Sequence, residues 1–99
     1  MAVDFIIKSI TIPSGTGPRT IPGRVTFNSS VNRAAVALNG FKMNFVSEDH
    51  NIKFIEVDAD SVNISGNTVN FQVQCDYADK SFNDPYEGSI TVLVIADVT

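Results

Sequence analysis

The chain has one cysteine, one histidine and no tryptophan among its 99 residues, and charged side chains make up only 18% of it. Each shortage excludes something. A lone cysteine, Cys75, rules out an intrachain disulfide. One histidine and one cysteine cannot furnish an ordinary zinc ligand set, so no metal and no cofactor is expected. His50 stands in a polar stretch beside Glu48 and Asp49, with no Gly-x-Ser-x-Gly elbow or comparable nucleophile to serve, so it reads as a solvated loop residue. The segment Ser14-Gly15-Thr16-Gly17-Pro18 lacks the lysine and following helix of a phosphate-binding loop. Catalysis ordinarily needs a grouped acid, base or nucleophile, and this sequence offers scattered carboxylates. The expectation is a protein that is not an enzyme.

Long apolar runs are missing as well. No segment approaches the roughly 20 apolar residues of a membrane helix, so no membrane partner is expected. Residues 1–12 do not read as a signal peptide, because Asp4 precedes a short apolar run, Lys8 interrupts it and no small-residue cleavage site follows. A soluble chain is expected, with its compartment unspecified. The sequons Asn28-Ser29-Ser30 and Asn63-Ile64-Ser65 then read as chance.

Basic charge is scarce too: 7 Lys and Arg face 11 Asp and Glu, for a net charge of −4. A nucleic-acid partner requires a basic footprint and is not expected. The balance is uneven along the chain, +4 over residues 1–47 and −8 over residues 48–99. On separate surfaces these halves would help copies meet; interleaved in a sheet they would cancel.

What is present is strand. Residues 68–77 alternate without a break, with Val69, Phe71, Val73, Cys75 and Tyr77 at odd positions and polar residues between them. Successive side chains of a strand point to opposite faces, so this is a half-buried strand of an antiparallel sheet. Residues 5–12 read as a strand ending at Pro13. Residues 13–23 hold three Gly and three Pro and read as a loop. Short strands follow at 24–28 and 34–38; Asn39-Gly40 is a turn signal, and 41–45 continues extended. Residues 51–60 form a strand whose parity slips, either because both faces are buried or through a bulge near Phe54. A tight turn at Ser65-Gly66-Asn67 leads into 68–77, and 78–87 reads as a polar loop. The last strand, 90–98, is apolar on both parities: Ile90, Val92 and Val94 on one, Leu93 and Ile95 on the other. A second sheet would cover one row, and a neighbouring copy of the chain the other. The bland alternative is that strand 5–12 folds over the second row. With 43% hydrophobic residues and no helical period, residues 1–99 read as one all-β domain, an antiparallel β-sandwich.

From Arg24 onward the order of features resembles the H-type lectin family, the domains of snail agglutinins and of the discoidin C-terminal module. The matching pieces are Val25-Thr26-Phe27, residues 34–38, residues 51–55, Gly66 to Cys75 with Phe71-Gln72-Val73 at its centre, and residues 89–96, about three quarters of the chain. The resemblance implies a six-stranded antiparallel β-sandwich, assembly into a homotrimer or a hexamer of two stacked trimers, and a glycan held at the rim between subunits. Lys53 falls where the family's sugar-contacting arginine lies, and Tyr86 near its tyrosine. Ala78 and Asp79 fall where an aromatic–histidine pair follows the core cysteine. The loop around Gly15, Thr16 and Gly17 falls where a neighbour supplies small and acidic residues. Ala78 removes the aromatic platform, so the family's N-acetylgalactosamine specificity does not transfer, and Tyr77 or Phe82 is left to stack on a sugar. The expected ligand set is Lys53, Asp76, Asp79 and Tyr86, with Thr16, Gly17 and Arg19 contributed across the subunit boundary.

Two other readings share the sandwich. One is a trimeric structural domain of a viral or bacterial surface or tail assembly, with no sugar site. The other is a calcium-dependent adhesion domain using Asp58, Asp60, Asp76, Asp79, Asp84 and Glu87, although no helix-flanked calcium loop is present.

Overall fold

A computed structural model describes residues 2–46, 54–78 and 84–99. Six strands run in chain order: β1 (Ala2–Gly15), β2 (Arg19–Thr26), β3 (Val31–Phe45), β4 (Phe54–Ser65), β5 (Thr68–Ala78) and β6 (Tyr86–Val98). They form two three-stranded antiparallel sheets, β1-β6-β3 and β2-β5-β4, and no helix occurs among the described residues. The expected six-stranded all-β architecture is therefore present. Strands this long set the shape. A 15-residue strand spans about 50 Å, and the molecule measures 49 × 17 × 17 Å.

The core lies between the sheets. From β5 come Val69, Phe71, Val73 and Cys75; from β6 come Tyr86, Ile90, Val92, Val94 and Ala96; all are essentially closed to solvent. The two central strands thus carry the core on one parity each. Ile10, Ile12, Val25, Phe27 and Val31 complete it from the flanking elements. Full burial of such aliphatic side chains contributes about 1.5–3 kcal/mol each, and this is the main term holding the sheets together.

At one end the sheets are tied by backbone. Phe27 N–H donates to the Asn67 carbonyl at 2.8 Å and Val31 N–H to that of Gly66 at 2.9 Å. Asn67 Nδ2 donates back to the Phe27 carbonyl at 2.9 Å. These bonds fix the β4–β5 turn against the β2–β3 connection. The opposite end holds Gly15, Arg19, Phe45, Cys75, Tyr77 and Tyr86, brought level by the registers Gly15↔Tyr86, Phe45↔Tyr86 and Arg19↔Cys75.

Four local expectations are corrected. Residues 19–23 are strand, not loop: β2 pairs only with β5, so an edge position accommodates Pro22 opposite Gln72. Gly23 lies opposite Phe71, and a side chain there would run into the Phe71 ring. Asn39-Gly40 does not turn the chain; β3 continues through it, with a register shift between Leu38 and Gly40 that moves the inward parity from Ala34 and Val36 to Met43 and Phe45. The bulge of β4 lies between Asp60 and Asn63 rather than near Phe54, with Ser61 at φ 57°. Phe54 faces outward opposite Ala78 and both faces there are exposed. Finally, the last strand begins at Tyr86, inside the stretch expected as loop.

Strand β1 pairs edge to edge with β6 instead of folding over it. The register Phe5↔Ile95 and Ile7↔Leu93 puts its own apolar side chains beside the second row of β6.

Candidate functional site

Two places on the molecule depart from what a sandwich needs for its own stability. The first is the end that carries Tyr86. Its ring has no exposed surface, yet its hydroxyl sits among four polar groups. The Tyr86 hydroxyl donates to the Gly17 carbonyl at 2.7 Å and has the Cys75 carbonyl as a second acceptor at 3.2 Å. Arg19 Nε donates to the same hydroxyl oxygen at 3.2 Å, and Arg19 Nη2 donates to the Tyr86 carbonyl at 3.2 Å. Arg19 Nη1 donates to the Pro13 carbonyl. The guanidinium also lies over the Tyr86 ring, 4.2 Å from its centroid, a cation–π arrangement. Tyr77 meets Tyr86 edge-on at 6.0 Å, and Phe45 stacks tilted on Tyr77 at 4.6 Å.

Local chemistry explains why the chain folds this way. Gly17 takes φ +75°, which lets the β1–β2 connection turn tightly and aim its carbonyl inward. Arg19 falls on the inward parity of β2 but at its first position, so its long side chain reaches the end of the sandwich instead of its centre. Burial pushes both the Tyr86 phenol and the Cys75 thiol above their ordinary pKa values, with the hydroxyl–thiol contact at 3.9 Å a smaller influence. Both groups are neutral at physiological pH. The cluster is a polar plug that satisfies its own donors and acceptors.

Several of the expected ligand residues gather at this end. Tyr86, Arg19 and Gly17 are members of the plug, and Thr16 is exposed beside it. Asp76 lies on the outer face of β5 opposite Glu56, 8% exposed, and its Oδ1 has no hydrogen-bond partner. Lys53 and Asp79 lie outside the described residues, as do His50 and Phe82. The other acidic side chains do not converge. Asp58 caps the Ala59 N–H, Asp60 accepts from Gln74 Nε2 at 3.3 Å, and Glu87 is exposed. Among the described residues no group of three His, Cys, Asp or Glu is placed to hold a metal ion.

The second place is the outer face of the β1-β6-β3 sheet. Register sets out its rows: Val3–Asp97–Arg33, then Phe5–Ile95–Ala35, then Ile7–Leu93–Ala37. Ser9–Thr91 and Thr11–Ser89 follow, so the face turns polar toward the plugged end. Val3 is 77% exposed, Phe5 61%, Ile7 55% and Ile95 40%. A depression of about 400 Å³ is lined by Val3, Phe5, Ile7, Asn39, Leu93 and Ile95. Its cause is a step in the sheet, large side chains on β1 and β6 against alanines on β3. At the margin Arg33 Nη2 pairs with Asp97 Oδ2 at 3.5 Å, while Asp97 Oδ1 is buried without a partner. The sequence signalled half of this face through Leu93 and Ile95; the β1 half was missed because 5–12 was read for its strand character and not for which side of it would be left bare.

Fold and surface together define a class: a small two-sheet β module, closed by a polar plug at one end and open along one apolar sheet face. Compared with known families, curated proteins and solved structures, the chain matches none of them.

Proposed function

We propose that this domain is a non-enzymatic assembly module that works as a symmetric oligomer of its own chain, as in a trimeric structural domain of a surface or tail assembly. The observation that carries it is the outer face of the β1-β6-β3 sheet, where Val3, Phe5, Ile7, Leu93 and Ile95 form one contiguous apolar patch. Soluble monomers rarely expose such patches unless they are interaction sites. Leu93 is on the outer parity, so its replacement tests the surface without opening the core. Light scattering at micromolar concentration is expected to give a trimer or hexamer for the wild type and a folded monomer for Leu93→Asp. A compact wild-type monomer would overturn the proposal.

Carbohydrate binding is the second reading, and the observation favouring it is Asp76. A carboxylate 8% exposed with an unpartnered oxygen suits a ligand hydroxyl, because a buried acceptor left unpaired costs free energy. The glycan would then sit at the plugged end, with Lys53 and Asp79 as further candidate contacts. A glycan array probed with the intact oligomer, wild type and Asp76→Asn, tests it. Silence on a broad array with folded wild type would remove this reading and leave the assembly proposal standing.

A further inference from the structure

The apolar face is asymmetric, and its asymmetry specifies how copies meet. Across each row the β1 side is bulky and the β3 side is small: Phe5 against Ala35, Ile7 against Ala37, with Ile95 and Leu93 between them. Such a face has a ridge along one edge and a shelf along the other. Two ridges pressed together leave both shelves empty, whereas a ridge laid on the next copy's shelf fills it. The row above carries matching polar information. Asp97 has one oxygen 3.5 Å from its own Arg33 and a second oxygen buried without any partner, while the Arg33 side chain is 80% exposed. An arginine fork can serve two carboxylates, and a carboxylate can accept from two arginines.

We propose that copies of this chain associate head to tail in a closed ring, with β1 of one copy against β3 of the next at the same height along the strands. This rests on the assembly reading above and adds its register and symmetry. Phe5 and Ile7 of each copy then cover Ala35 and Ala37 of its neighbour. Arg33 of that neighbour comes level with Val3 and Asp97, where it completes the unpartnered Asp97 carboxylate. The ion pairs close one end of the apolar contact as a circuit, each Asp97 held by one arginine within its own chain and one across the boundary. A contact of this heterologous kind generates a ring when the rotation closes. Rotation about an axis parallel to the strands preserves height, which is why equal rows meet.

Exchange of size across the boundary tests the register. Phe5→Ala and Ala35→Phe are each expected to raise the dissociation midpoint about tenfold or more, the first by leaving a void and the second by overfilling. The double variant, which moves the ridge to the shelf in every copy, is expected to recover most of that loss. Ile7→Ala with Ala37→Phe is the second pair, used if the first fails to fold by circular dichroism. Arg33→Gln is expected to weaken association about tenfold while leaving the urea midpoint of the dissociated chain nearly unchanged, since an exposed pair contributes little to the single fold. Recovery in a double variant with a wild-type mass of three or more subunits supports the ring. A wild-type mass of two subunits, double variants worse than either single one, or an Arg33→Gln protein that associates normally would each overturn it. If the wild type is a monomer the assembly reading fails as well; if it is an oligomer and the exchanges do not recover, only the ring fails.

Discussion

The Arg19 guanidinium stacks 4.2 Å above the Tyr86 ring and bonds both the hydroxyl and the carbonyl of that same residue, across 67 positions of sequence. This one pair fastens the β1–β2 connection, the end of β5 and the start of β6 to each other. Tyr86→Phe leaves the Gly17 and Cys75 carbonyls and Arg19 Nε short of a partner. The expected cost is about 1–3 kcal/mol in urea unfolding, far more than one hydroxyl at a wet site would give.

Arg19→Lys separates charge from shape. Lysine keeps the positive charge but loses the planar fork and the stacking face. A loss of about 1–2 kcal/mol is expected from the same measurement, and an unchanged urea midpoint would show that charge alone is what the plug requires.

Stability should fall on the alkaline side. Burial raises the Cys75 thiol above its ordinary 9.0 and the Tyr86 phenol above its ordinary 10.0. Between those values and the higher folded ones the native state binds more protons than the unfolded chain, so stability declines as pH rises there and is fully present below about pH 9. The urea midpoint is expected to be flat from about pH 7 to 9 and to fall beyond. Tyr86→Phe should flatten the upper part of that decline.

Cys75 is also a reporter of opening. A neutral thiol that is 1% exposed is expected to react slowly with a thiol-specific reagent in native protein and quickly in denaturant. Fast reaction in the native state would mean that the plugged end opens.

Gly23→Ala adds a methyl group that meets the Phe71 ring. Overpacking of this kind costs about 1–3 kcal/mol, and thermal unfolding should report it as a lower midpoint. Phe71→Leu in the same background should restore part of the loss, because it withdraws the atoms that clash.

Alternation along residues 68–77 and the paired apolar rows of residues 90–98 were enough to establish strands, antiparallel pairing, an inward Cys75 and a row of β6 left without cover. Those properties follow from the period of two in a strand, which is local and written directly in residue order. What tertiary structure decided is where elements lie relative to one another. Pro22 and Gly23 belong to a strand because that strand is an edge and Phe71 needs the space. The registers of β3 and β4 shift at Leu38 and Asp60 because pairing to β6 and β5 must keep apolar residues inward on both sides of each shift. Tyr86 became a buried anchor, and Arg19 its clamp, only when three distant connections converged. The placement of β1 beside β6, instead of over it, turned one uncovered row into a broad apolar face. Pairing partners and the meeting of distant loops are set by closure and packing between residues far apart in sequence, and no local pattern encodes them.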